Sequence, residues 1–324
     1  DTACDTQDAN DTQNTIPVPC TGNTEYRMNA NRKIPVMSFQ PDARHLEDVL
    51  HNRRPARLPL YEHIISPNTM EIILDESFAE LLQGSDSDLD EYFRHYCGFF
   101  RTMTYDVVTF EVCIGGILPG PSAIRGGKGP IQSREDFEQY PWEELPQRYR
   151  EYARPRFDAL VRALPPGMKA VGGVGNGPFE LSESLVGLEY LPYMQADDPE
   201  LYADLYRRIG ETMAEIWSAF LPRYGHAFAG CRVGDDLGFR SSLLTNPQTV
   251  RNHIVPQYRT VIRLAHENGN RFLWHSCGCI FEIMDDMIDA GIDAKHSNED
   301  AIAPFENWID QYGERIGLLG GFDM

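Results

Sequence analysis

Arg271-Phe-Leu-Trp-His275-Ser276-Cys277-Gly278-Cys279 is an apolar, aromatic run that ends in a histidine and two cysteines, each two residues from the last. Read as a strand, it sends alternate residues to one side, so His275 and Cys277 leave together. Imidazole and thiolate are ligands that zinc and similar borderline-soft ions take, and this pair makes half of a tetrahedral site. A buried strand ending in two packed thiols would use the same residues, since free cysteine is among the most buried types. The flanks decide what kind of strand it is. A helical stretch, 247–268, precedes it and stops at Gly269; another, 280–290, follows and stops at Gly291. Both glycines stand where a left-handed helix cap is common. Helix, strand, helix is the unit of a parallel sheet with crossover connections.

The same unit recurs outward in both directions. Short apolar, β-branched runs predict strands at 57–63, 106–112, 169–175, 227–234, 271–275, 292–296 and 316–320. Helical stretches fall at 88–103, 142–164, 180–194, 199–223, 247–268, 280–290 and 304–312. Asp198-Pro199 and Asn246-Pro247 each place a capping side chain before a proline at the first helical position. Seven such units over roughly 270 residues predict an α/β fold of the (β/α)8, TIM-barrel type. An open dinucleotide-binding sheet would want Gly-x-Gly-x-x-Gly after an early strand, and the glycines at 172, 173, 175 and 177 have the wrong spacing. The glycine-rich stretch 115–129 is no phosphate loop either, because Ser122 takes the place of its first glycine and no Ser or Thr follows Lys128. It is expected as a flexible loop over the barrel mouth, with Arg125 and Lys128 as its strong cations. Met324 follows the seventh predicted strand directly, so the eighth unit of the ring is expected to be missing.

Residues 28–324 read as one such domain. The first 27 residues are rich in Thr, Asp, Asn and Gln, lack the basic start and apolar middle of a signal peptide, and read as a disordered tail. The chain carries 49 acids against 29 bases, a formal charge of −20, which repels nucleic acid and anionic membrane surfaces. No apolar run approaches the ~18 residues of a membrane span. Seven cysteines without disulfide-framework spacing fit a reducing cytoplasm. A homodimer is left open.

In a barrel of this type, chemistry sits where strands end. Those positions hold Glu62 and His63, then Glu111, Asn176, Asp235 and Asp236, His275 and Cys277, Glu299, and Asp323. Six acids, two histidines and a thiol at one rim are the raw material of a metal or acid–base site. Trp274 reads as core, and Cys97, Cys113 and Cys231 as buried filler.

Four segments carry a family resemblance. They are Gly177-Pro-Phe-Glu180 with Gly187-Leu-Glu189; Gly234-Asp235-Asp236-Leu-Gly238; His275-Ser-Cys277-Gly278; and Tyr312-Gly313 with Leu319-Gly320-Gly321-Phe-Asp323. In this order and spacing, from Arg53 onward, the chain resembles the uroporphyrinogen decarboxylase superfamily, on its cobamide-dependent methyltransferase side. The resemblance implies a barrel whose cleft opens at the strand carboxyl ends. Decarboxylases of the superfamily hold a substrate with many carboxylates and follow the first strand with an arginine-bearing motif. Here that place reads Tyr61-Glu62-His63-Ile64-Ile65-Ser66, and an acidic mouth repels a polycarboxylate at contact distance.

The methyltransferase branch uses His-x-Cys and a distant cysteine to hold zinc, which turns an acceptor thiol into a thiolate that attacks the methyl group of a methyl-corrinoid. On matching positions the resemblance implies His275 and Cys277 as ligands. The family's third cysteine falls beyond Met324. Cys279 could replace it only if the strand ran on through Gly278, and Glu62, Glu299 and Asp236 stand as oxygen donors among which the sequence does not choose. Asp235, Asp236 and Glu111 are read as acid–base groups, and His63, Asn176, Glu299 and Asp323 as substrate contacts. The expected activity is a cytoplasmic, zinc-dependent transfer of a methyl group between a corrinoid and a thiol or folate-type acceptor. A small corrinoid-binding protein is the expected partner. A decarboxylase-like lyase acting on a tetrapyrrole and a non-catalytic tetrapyrrole or corrinoid binder are the alternatives.

Overall fold

A computed structural model describes residues 39–320. The tail 1–27, the Met28 boundary and Asp323 therefore lie outside the described residues. In chain order the elements are α1 (Arg44–Leu50), α2 (Pro67–Leu74), α3 (Asp86–Thr102), β1 (Val107–Cys113), α4 (Arg134–Gln139), α5 (Leu145–Ala163), β2 (Lys169–Gly175), α6 (Pro178–Leu185), α7 (Leu191–Asp197), α8 (Pro199–Tyr224) and β3 (Phe228–Gly234). Then come α9 (Pro247–Thr249), α10 (Val255–Glu267), β4 (Phe272–His275), α11 (Met284–Ala290), β5 (Ala294–His296), α12 (Phe305–Tyr312) and β6 (Gly317–Leu319).

The six strands form one sheet in the order β1-β2-β3-β4-β5-β6, every pair parallel. Strand alternation separates two cores. Val107, Val171, Ala229, Leu273, Ala294 and Leu319, one from each strand, pack with Ala43, Leu46 and Leu50 at α1, which plugs that face at its amino-terminal end. Gly230 faces this plug, and a Cβ there would lie 2.5 Å from Leu50 Cδ1. On the other face Val108, Val174, Cys231, Val233, Phe272 and Trp274 bury against the helices. Each such aliphatic side chain contributes about 1.5–3 kcal/mol on leaving water.

The expected first strand is not formed. Residues 57–63 have no strand pairing, and the six-stranded sheet is not closed among the described residues. Pro59 supplies the physical reason: it has no N–H for a ladder. Leu58 and Leu60 also point their apolar side chains to solvent. The segment is nonetheless anchored, by Arg57 Nη1 on Asp106 Oδ2 at 2.6 Å below and by Arg232 Nη1 on the His63 carbonyl at 2.7 Å above.

Two helical expectations are corrected. The stretch 180–194 breaks into α6 and α7 at Gly187, whose φ of 104° no side-chain-bearing residue adopts easily. The stretch 247–268 contains a π turn, Val250–Ile254, between α9 and α10. The glycine-rich loop is tied down rather than loose. Ala123 N–H donates to the Ser184 carbonyl (3.0 Å), Ile131 N–H to Leu185 (2.9 Å) and Gly129 N–H to Val186 (3.1 Å), which satisfies the orphan carbonyls at the end of α6. No helix among the described residues is long and apolar enough to cross a membrane.

Candidate metal centre

His275 ends β4 on the inner face, in register with Gly234 of β3 and His296 of β5. The chain then turns at Gly278, whose φ is 79° and whose backbone lies so close to Gly238 that a Cβ would meet it at 2.2 Å. Acids from the neighbouring strand ends hold this turn. Asp236 Oδ1 accepts the Cys277 N–H at 2.9 Å, and Glu299 Oε1 accepts the Gly278 N–H at 2.6 Å.

The turn brings three different donors together. His275 Nε2 lies 3.4 Å from Cys277 Sγ and 3.6 Å from Asp236 Oδ1, and the three atoms all fall within 4.8 Å of one another. Ligand atoms about 2.05 Å (N) and 2.3 Å (S) from a shared tetrahedral zinc stand about 3.5 Å apart, and a nitrogen and an oxygen about 3.4 Å. The donor set and its spacing fit that ion. Cys279 and Glu62 belong to neither of the clustered donor groups found among the described residues, and Glu299 is engaged with the turn.

A second group adjoins the first. His63, His275 and His296 stack, with ring centroids 3.8 Å apart for His63 and His275 and 5.0 Å for His275 and His296. His275 Nδ1 and His296 Nδ1 are 2.8 Å apart. Burial, aided by the neighbouring charges of His296, Arg232 and Lys295, holds His275 down to about 2. Burial, then Lys295 and Arg232, brings His296 down to about 3, and His63 is lowered for the same first reason. The rings are neutral at ordinary pH, so each has one bare nitrogen. Burial and then the Asp236 charge push the Cys277 thiol up to about 12; a bound cation reverses that balance.

The chain's fold is similar to that of a solved structure. The solved structure in question is a methyltransferase from Methanosarcina mazei, with a TM-score of 0.68 and 15% sequence identity over 87% of this chain and 83% of that one. At that identity the likeness is one of fold. The catalytic domain of beta-amylase from Paenibacillus polymyxa aligns with a TM-score of 0.26, 11% identity and coverage of 64% of this chain and 60% of that one, too little to argue from. No family model matches the chain, and no curated protein does.

The remaining rim residues divide by what holds them. Asp235, read with Asp236 as an acid–base pair, is fully buried and faces the other way. Its carboxylate accepts the Phe179 and Glu180 N–H groups at the start of α6 (3.2 and 2.8 Å) and the Tyr258 hydroxyl (2.9 Å). Burial and then Glu180 raise its pKa well above the usual range, against the pull of those donors. Gly177 is obligatory beside it, because a Cβ would sit 2.2 Å from Tyr258 Oη and 2.3 Å from Asp235 Cγ. Asn176, in the left-handed region at φ 69°, accepts the Gly115 N–H (2.9 Å) and donates to Glu180 Oε2 (2.8 Å). Burial, reinforced by nearby acids, pushes Glu180 and Glu183 up to about 7 each.

Glu111, the third expected acid–base group, is the partner of a buried guanidinium. Arg232 Nη2 donates to Glu111 Oε2 at 2.5 Å, and Arg232 Nη1 donates to Tyr61 Oη at 3.2 Å as well as to the His63 carbonyl. Arg232 and His296 matter to the site more than the sequence suggests. Their signal was strand alternation: Arg232 precedes Gly234 by two, and His296 ends its strand as His275 does. A cavity of about 660 Å³ lies away from these groups, between α5 and α8, and is lined by Phe157, Asp158, Phe220 and Arg223 among others.

Proposed function

We propose that this chain is a zinc-dependent methyltransferase. The framework is a (β/α)8-type barrel in which residues 57–63 act as a stave without ladder bonds. The observation that carries the reading is the convergence of one imidazole nitrogen, one thiol sulfur and one carboxylate oxygen, at zinc-like spacing, where parallel strands end. Three protein ligands leave a fourth position for a substrate atom, the arrangement of catalytic rather than structural zinc. Zinc bound there would lower the pKa of an acceptor thiol and so supply a thiolate at neutral pH.

The protein's own groups do the rest. His275, Cys277 and Asp236 hold the ion, and Glu299 fixes the turn that presents Cys277. His63 shields one face of the His275 ring. Methyl transfer would join the acceptor atom, a thiol's sulfur or a folate's nitrogen, to the methyl carbon with loss of the acceptor's proton to solvent, while the electron pair of the broken bond stays with the methyl carrier. We take the carrier to be a corrinoid on a small corrinoid-binding partner protein, and the acceptor to be a thiol or folate-type molecule. A polycarboxylate tetrapyrrole suits the site poorly, because Arg232 already spends its charge on Glu111 and the rim adds Glu62, Asp236 and Glu299.

Metal analysis of the purified chain tests the reading. One zinc per chain is expected, lost in Cys277→Ser and weakened in Asp236→Asn. A chain that takes up no zinc, or that neither binds nor demethylates a methyl-corrinoid when loaded, overturns it.

A further inference from the structure

We propose that His296 is the positioning residue of this metal site: it accepts a hydrogen bond from the Nδ1–H of His275 and thereby turns the bare Nε2 of His275 toward Cys277 and Asp236. The inference rests on the metal reading above and adds to it the residue that selects the ligand's tautomer.

The geometry leaves two arrangements. Two nitrogens 2.8 Å apart must share one proton, because two lone pairs or two N–H groups facing each other repel. With the proton on His275, its Nε2 is bare and lies 3.4 Å from Cys277 Sγ and 3.6 Å from Asp236 Oδ1. With the proton on His296, a neutral His275 carries its hydrogen on Nε2, in the space an ion needs. A cation therefore binds only the first arrangement, and the acceptor strength of His296 sets how costly that arrangement is. Metal-bound histidines almost always donate their other N–H to a fixed acceptor; here the acceptor is a second imidazole.

His296 is built to stay in place. It is in register with His275 on one side and Leu319 on the other, its carbonyl accepts the Ser276 N–H at 3.2 Å, and its ring is buried edge-on to Tyr61 at 5.1 Å. The rival arrangement, one ion held by His63, His275 and His296 together, fits less well. Two nitrogens on one tetrahedral zinc stand about 3.3 Å apart, more than the separation of the two Nδ1 atoms. The His63 ring also lies face-on to His275, at an interplanar angle of 17°.

The test measures zinc affinity of the full-length chain at one fixed pH, by competition with a chromophoric chelator, with circular dichroism to confirm the fold. His296→Phe removes the acceptor and is expected to weaken zinc by about 10- to 100-fold. His296→Asn, which offers a carbonyl oxygen near the lost nitrogen, is expected to restore most of the affinity. Zinc that disappears in Cys277→Ser but binds His296→Phe as tightly as wild type overturns the positioning role and leaves the metal reading intact. Equal weakening by Phe and Asn also overturns it, since packing alone would then explain the loss. A wild-type chain without zinc removes the reading beneath. Should His296→Phe not fold, His296→Asp carries the test: a carboxylate acceptor is expected to tighten zinc, and weaker binding overturns the role.

Discussion

Glu111→Gln separates a structural ion pair from a catalytic acid. Arg232 is 1% exposed and Glu111 14%, so both charges are held largely out of water. Unit charges about 4 Å apart attract by about 4 kcal/mol at an effective dielectric constant near 20. Glutamine keeps an acceptor oxygen and about 1 kcal/mol of hydrogen bonding, which leaves a loss of about 3 kcal/mol. That agrees with the cost of roughly 3–5 kcal/mol for removing one partner of a buried pair. Arg232→Met should cost a similar amount, because it strands Glu111 and frees the His63 carbonyl and Tyr61 hydroxyl that Arg232 holds. The double variant should lose less than the sum of the singles by about 3 kcal/mol. Urea unfolding of the four proteins measures all three quantities. The same set reads out the site: Glu111→Gln leaves an uncompensated guanidinium near three histidines and should weaken zinc, while the double variant should recover it. Additive single losses, or a Glu111→Gln cost below about 1 kcal/mol, would refute the argument.

Three further outcomes follow from the same geometry. Glu183 is half-buried with its pKa raised from 4.5 to about 7, so its contribution to stability is full below about pH 4.5 and is lost as pH rises through 7. Glu183→Gln should therefore match wild type at pH 4.5 and exceed it by roughly 1–3 kcal/mol at pH 8, and a pH-independent difference in unfolding free energy would count against this. Gly177→Ala forces a Cβ into Tyr258 and Asp235 and should cost about 1–3 kcal/mol or more, visible as a lowered thermal midpoint; a neutral result would mean the network yields freely. Asp235→Ala strands two N–H groups and a buried hydroxyl and should lower stability by about 2–5 kcal/mol, yet leave zinc stoichiometry unchanged in the folded fraction.

Six of the seven expected strands lie within two residues of their observed ends, because each is a short run set between helical stretches with clear stops. The seventh, 57–63, failed where one residue outweighed the pattern: Pro59 removes a ladder donor that hydropathy does not see. The break at Gly187 and the π turn at Val250–Ile254 were invisible to periodicity, which registers a helix face but not a local change of pitch. The plug helix α1 was missed because seven residues give too few turns to show a period. At the site, alternation along 271–277 was enough to pair His275 with Cys277. It could not choose the third donor, since Glu62, Asp236 and Glu299 differ only in where neighbouring strands end.

Asp235 and Asp236 show why that choice needed the structure. They are chemically identical and adjacent, and at the end of β3 consecutive side chains leave on opposite sides. One side leads under α6, where a helix start offers two bare N–H groups and a tyrosine offers a third donor, so Asp235 is drawn fully out of solvent. The other side leads to the mouth, where Asp236 keeps 47% of its side chain exposed and takes a single backbone N–H from Cys277. Three donors from the fold occupy most of the lone pairs of Asp235, while Asp236 is engaged by Cys277 alone, through its N–H and its thiol, and keeps more of its oxygens open. The same comparison explains Glu111, which Arg232 occupies. A rim acid is available for chemistry here in inverse proportion to what the fold already asks of it, and on that ground we propose Asp236 as the third donor beside His275 and Cys277.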